Sequence, residues 1–138
     1  MKNEFVSYEQ AVALKVLRFN EICLAYWYNE TPTNPMGQCI VYYKKPYDDD
    51  KIINGIIRDY YWAPLKQQVF RWFREKYNYW SYVYPYIHDK TWHFHIQFYD
   101  SDMWGEVFLG NNFNTYEEAE NACIDKLIEL AKQQDNGN

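Results

Sequence analysis

Residues 63–99 read APLKQQVFRWFREKYNYWSYVYPYIHDKTWHFHIQFY, and the fold turns on how this stretch is parsed. Two periods follow one another. Leu65, Val69, Trp72, Phe73 and Tyr77 recur at the spacing of one helix face, while Gln67, Arg71, Arg74, Glu75 and Asn78 fall on the other side. Pro64 suits a first helical turn, where its missing N–H costs nothing. The spacing predicts a helix over 64–77, with Phe70 widening its apolar arc.

From Trp80 the period drops to two. Ser81, Val83, Pro85 and Ile87 alternate with Trp80, Tyr82, Tyr84, Tyr86 and His88. Trp92, Phe94, Ile96 and Phe98 alternate with His93, His95, Gln97 and Tyr99. Such alternation is what an antiparallel sheet with one packed face requires. A two-residue turn at Asp89–Lys90 would pair Ile87 with Trp92, Val83 with Ile96, Tyr86 with His93 and Tyr84 with His95. Each strand then shows one apolar face and one Tyr/His face. Pro85 cannot donate to a ladder, so its strand is expected at a sheet edge.

The chain has 138 residues, enough to bury a core, and the expected organisation is one α+β domain over 1–133 with a frayed tail at 134–138. Fifteen tyrosines exceed what a small core conveniently hides, so some must line a surface. Net charge is −5 and unevenly spread. Residues 63–99 are slightly basic, whereas 100–138 hold nine acids against Lys126 and Lys132. Nucleic acid is disfavoured as a partner, because neutralising phosphates takes a concentrated basic surface.

Cys23, Cys39 and Cys123 are widely spaced and odd in number, without a CxxC. They read as reduced thiols of a cytoplasmic protein. The opening MKNEFVSYEQ lacks an apolar signal region, and no stretch is long and apolar enough to span a membrane.

Outside the central stretch, Ser7 with Gln10 matches a capping box and starts a helix running to about Phe19–Asn20. Ile22–Tyr28 and Gln38–Lys44 read as strands around a Pro/Thr/Asn loop at 31–37. Residues 50–62 stay open. Ile52, Ile53, Ile56, Ile57, Tyr60 and Tyr61 recur at helical spacing, but Asn54–Gly55 is a strong hairpin signal. Asp48–Asp50 reads as a solvated turn or cap, since three adjacent carboxylates do not converge on a cation without a shaped loop. Met103–Leu109 is a short final strand, and Gly110–Asn114 a turn cluster lacking the phosphate-loop pattern. Thr115 with Glu118 then caps a C-terminal helix.

The chemistry-bearing residues are sparse. His93 and His95 share a strand face with His88 across the turn. Three imidazoles suit zinc, but these are poorly placed for a tetrahedron, so they stand only as weak metal candidates. Tyr–His packing is the plainer account. Nothing singles out a nucleophile or a partner carboxylate. No catalytic residue and no cofactor is expected.

The segments YEQAVALKVLRFNE (8–21), APLKQQVFRWFREKYNYW (63–80) and NTYEEAENACIDKLIELAK (114–132) resemble, in the same order, three blocks of small uncharacterised proteins from Bacteroidales-type gut bacteria and their phages. The resemblance implies a phage or mobile-element context and cytoplasmic expression. It carries no activity and no site residues.

The expected architecture is therefore an antiparallel sheet with capped N-terminal, central and C-terminal helices packed mainly on one face. The expected function is that of a non-enzymatic protein-binding or accessory protein. Its interface would be Trp80, Tyr82, Tyr84, Tyr86, His93, His95 and Tyr99, meeting a protein partner or a second copy in a homodimer. The competing reading is a small ligand-binding protein or enzyme using the His93/His95 region.

Overall fold

A computed structural model describes residues 2–31, 38–42, 52–53, 56–100 and 103–137. It is a mixed α+β fold of antiparallel strands with helices packed against them. The chain divides into two compact units, Met1–Leu65 and Lys66–Asn138.

The first unit opens with a 3-10 turn at Lys2–Glu4, followed by α1 (Tyr8–Val16). The capping box is complete: Gln10 N donates to Ser7 Oγ at 3.1 Å, and Ser7 N donates to Gln10 Oε1 at 2.9 Å. The helix ends at Val16, short of the expected point. Arg18 takes a left-handed conformation (φ 66), Arg18 N bonds Lys15 O and Phe19 N bonds Leu14 O. That is a Schellman closure with arginine where glycine usually signals the stop, so the sequence carried no warning of it.

Four strands follow: β1 (Ala25–Thr31), β2 (Gln38–Tyr42), β3 (Ile52–Ile53) and β4 (Ile56–Trp62), in sheet order β2-β1-β4-β3. All pairs are antiparallel. Residues 52–53 and 56–62 are thus strands, as in the hairpin alternative, with Ile53 opposite Ile56. Asn54–Gly55, Asp48–Asp50 and the loop at 32–37 lie outside the described residues. Phe5, Val6, Leu14, Leu17, Phe19 and Trp27 make the core of this unit. Trp27 Nε1 donates to Val6 O at 2.9 Å, which satisfies the polar atom of a buried indole.

In the second unit, α2 (Lys66–Tyr77) and α3 (Tyr116–Asn136) pack on the sheet β5 (Tyr79–Tyr86), β6 (Thr91–Asp100), β7 (Met103–Phe113), ordered β5-β6-β7. Val69, Trp72, Phe73 and Tyr77 of the expected stripe are buried, but the helix starts at Lys66, so Pro64 and Leu65 precede it and Leu65 pairs with Phe5 in an isolated bridge. Asn78 ends α2 in the left-handed region (φ 59), with its N–H on Arg74 O. Thr115 caps α3 by accepting from Glu118 N at 3.1 Å, while the Glu118 carboxylate accepts from Asn114 N rather than from the cap residue. Residues 134–136, expected to fray, continue α3. Asp135 accepts from Tyr77 Oη at 3.0 Å and Gln134 from Tyr79 Oη at 2.8 Å.

The β5–β6 hairpin is displaced from the expected register by two residues. Tyr86 pairs with Thr91, Tyr84 with His93, Tyr82 with His95, Val83 with Phe94 and Ser81 with Ile96. The connection is a four-residue turn over 87–90, not the pair Asp89–Lys90. Two-residue hairpin turns favour positive φ, supplied by Asn-Gly or Asp-Gly pairs. Here Lys90 alone takes it (φ 58), and the Asp89 carboxylate braces the turn by accepting from Thr91 N at 3.1 Å. A slip of two preserves which face each side chain meets, whereas a slip of one would exchange them. The expected two-sidedness therefore stands.

β7 runs through the expected turn cluster at 110–112 to Phe113, with register shifts against β6 between Trp92 and Phe94 and between Gln97 and Tyr99. Asn112 supplies a left-handed residue (φ 67) near the first. Gly110 lies flat against the Phe94 ring, whose Cε1, Cδ1 and Cζ would overlap any Cβ at that position.

Candidate functional site: the Tyr/His face of the second sheet

Strand parity divides the three-stranded sheet. Tyr79, Phe94 and Ile96 are buried on the helix-covered side, with Ser81 and Val83 half-buried beside them. Cys123 of α3 lies in this core. Burial pushes its thiol up to about 12, although the Ser81 hydroxyl acts in the opposite direction, so it is no ready nucleophile.

The other side carries the residues singled out from sequence. Trp80, Tyr82, Tyr86 and Tyr99 are exposed, Tyr84 and His95 are half-buried, and His93 is only 8 % exposed. His93 does not therefore offer itself as a contact residue in the way the tyrosines do. It is enclosed by them: Tyr86 stacks on its ring at 4.6 Å and Tyr84 meets it edge-on at 5.6 Å. Tyr82 stacks on His95 at 4.9 Å, and the Arg74 guanidinium lies 5.2 Å from the Trp80 ring centroid. Offset stacks and edge contacts of this kind suit aromatic quadrupoles and hold the rings in place.

Two further residues belong to this face and were missed as part of it. Val107 sits opposite Gln97 and Leu109 opposite His95, and both are exposed. The alternation of β7 was visible in the sequence. What was lacking was the register that brings Val107 and Leu109 onto the Tyr/His side. The face consequently has three columns: aromatic along β5, His and Gln along β6, aliphatic along β7. Its described positions, Trp80, Tyr82, Tyr84, Tyr86, His93, His95, Gln97, Tyr99, Val107 and Leu109, include no carboxylate, lysine or arginine.

One polar chain borders the face. Thr91 Oγ1 donates to Asp89 Oδ1 and lies 3.0 Å from His93 Nε2. With the threonine proton committed to Asp89, the hydroxyl oxygen is left to accept from His93 Nε2–H. The Thr91 side-chain hydrogen bond is also the main reason Asp89 stays below the usual carboxylate range. His95 lacks such support: its Nε2 is buried without a hydrogen-bond partner.

Among the described residues, no group of three or more His, Cys, Asp or Glu side chains converges to hold a metal ion. His88 and His93 both pack on Tyr86 while His95 stacks on Tyr82, and residues two apart on a strand are about 7 Å apart along it. Among the described residues, no helix is long and apolar enough to cross a membrane.

These features define an α+β protein with an uncharged aromatic sheet face. Comparison with known protein families, with curated proteins and with solved structures returned no match for the chain.

Proposed function

We propose that this chain is a non-enzymatic protein-binding or accessory protein, and that its interface is the Tyr/His face of the β5–β6–β7 sheet. The observation that carries the reading is the contiguity of exposed Trp80, Tyr82, Tyr86, Tyr99, Val107 and Leu109 on one uncharged surface. Interface cores are depleted in charge and enriched in Tyr and Trp, and extended apolar patches on soluble proteins mark contact sites. Nucleic acid fits poorly: bases would find stacking surfaces, but the face offers no frame of cations for phosphates. The three resembling blocks add a cytoplasmic setting in a phage or mobile element to this reading.

Hydroxyl-radical footprinting tests it. Trp80, Tyr82 and Leu109 should be labelled less in an extract of cells making the protein than in dilute purified protein. Equal labelling in both overturns the reading.

A second reading, a ligand-binding or acid–base site at His93/His95, draws on the Asp89–Thr91–His93 chain, which orients an imidazole as an acid–base residue requires. Burial of His93 under Tyr86 and Tyr84 weighs against it. Titration with small ligands, followed through the His93 ring nitrogens by NMR, should leave Nδ1 unchanged if the interface reading is right.

A further inference from the structure

We infer that the occupant of this face is a second copy of the same chain, docked sheet to sheet about a two-fold axis running along β6. The inference rests on the interface reading above and names its partner.

Two observations carry it. The first is area. The exposed fractions of Trp80 (46 %), Tyr82 (55 %), Tyr86, Tyr99, Val107 and Leu109 (59 %) amount to roughly 600 Å² per copy, so a symmetric pair that covered these six fully would bury about 1,200 Å² from them, the lower bound of stable specific interfaces. Tyr84, His95 and Gln97 lie between them and add to that. The second is the arrangement in columns. Across the sheet, Trp80, Gln97 and Val107 form one row, and Tyr82, His95 and Leu109 the next. A two-fold axis along the central strand exchanges the outer columns. It lays Tyr82 of each copy over Leu109 of the other, and Trp80 over Val107, with the His/Gln column at the axis. Ring meets aliphatic side chain at each of these contacts, and each contact occurs twice, as a closed isologous interface demands. Sheets packed this way align at about 30° with interdigitated side chains. Charge favours the same occupant. The chain carries −5, yet the described face carries no carboxylate, so two copies meet without bringing their acids together. An acidic or basic partner would find charge at the border of the face rather than among its described positions, on Arg74 beside Trp80 and on Asp89 beside Thr91.

The test uses the full-length chain and two exposed positions that tolerate polar side chains. In sedimentation velocity across micromolar to submillimolar concentrations, the wild type should pass from monomer to dimer. Tyr82→Lys and Leu109→Glu should each weaken self-association by about tenfold to a hundredfold. Mixing the two variants should restore a dimer containing one of each, detected by mass tags. In that pair the lysine introduced into one copy faces the glutamate introduced into the other, and the second Tyr82–Leu109 contact is native. Restoration also shows that both variants are folded. A wild type that stays monomeric throughout overturns the inference. So does a dimer indifferent to both variants, or one that both abolish and mixing fails to restore, since an axis across the strands would set Tyr82 over Tyr82. Protection of the face in extract, found together with a monomeric purified chain, would sink the second copy while leaving the protein-binding reading intact.

Discussion

On one side of the β5–β6–β7 sheet, Ile96 and Phe94 are sealed beneath α3. On the other, Tyr82 of β5 and Leu109 of β7 stand more than half exposed. Both sides are rich in large apolar groups, so composition does not separate them. What separates them is the presence of α2 and α3 on one side and the chemistry of the alternate positions on the other. The buried side uses Phe, Ile, Val and small residues that close-pack against the helices, together with Tyr79, whose hydroxyl bonds α3. The open side uses Tyr, Trp and His, whose rings contribute contact area and whose polar atoms tolerate water. A sheet of this kind stabilises the fold with one face and leaves the other open.

The largest expected effect breaks the buried side from within. Lys66 of α2 and Glu120 of α3 form an ion pair at 3.3 Å with both side chains nearly sealed from solvent. Glu120→Ala strands a buried ammonium and should cost about 3–5 kcal/mol in chemical denaturation, whereas the apolar double replacement Lys66→Met/Glu120→Leu should recover most of that loss. If the single and double variants prove equally unstable, the pair is doing something other than compensating its own burial.

Ile96→Ala and Tyr82→Ala then test the comparison directly. Removing a fully buried isoleucine should cost about 2–5 kcal/mol, while truncating the exposed tyrosine should change monomer stability by about 0.5 kcal/mol or less. Equal costs would mean that the open side is as much a part of the core as the closed one.

The smallest effect sharpens the boundary where α3 meets β5. Tyr77 and Tyr79 both sit above the ordinary tyrosine value of 10.0, chiefly through burial, with the Asp135 carboxylate adding to it. A folded-state value raised in this way leaves stability intact below about pH 10. Stability then declines as pH rises further, because the unfolded chain ionises first. Tyr77→Phe should flatten that alkaline decline without altering the neutral plateau's dependence on pH, as followed by denaturation midpoints. A decline as steep as in the wild type would assign it to other groups.

Much of this was legible in the sequence because local rules decided it. The capping box at Ser7, the N-cap at Thr115, the buried stripe of α2 and the alternation of 80–99 follow from spacing alone. The face bearing Trp80, Tyr82, Tyr84 and Tyr86 survived a register error because a shift of two residues conserves parity. The partners of the histidines did not survive it. Expecting Tyr86 across from His93 depended on the turn, and the turn depended on Lys90 adopting positive φ while Asp89 bonded Thr91. Likewise, nothing near Lys66 in the sequence indicates that its ammonium is buried, since its counter-ion lies far along the chain, at Glu120 of another helix.

By itself, then, the sequence determined the element types of the central stretch, the two-sidedness of its strands and the aromatic character of the outward face. These depend on periods of two and 3.6 that neighbouring residues enforce. Tertiary structure decided the register of the hairpin, the enclosure of His93 by Tyr84 and Tyr86, the addition of Val107 and Leu109 to the face, and the burial of the Lys66–Glu120 pair. Each of these joins residues that are neighbours only after folding, where packing and the satisfaction of polar groups outweigh local preference.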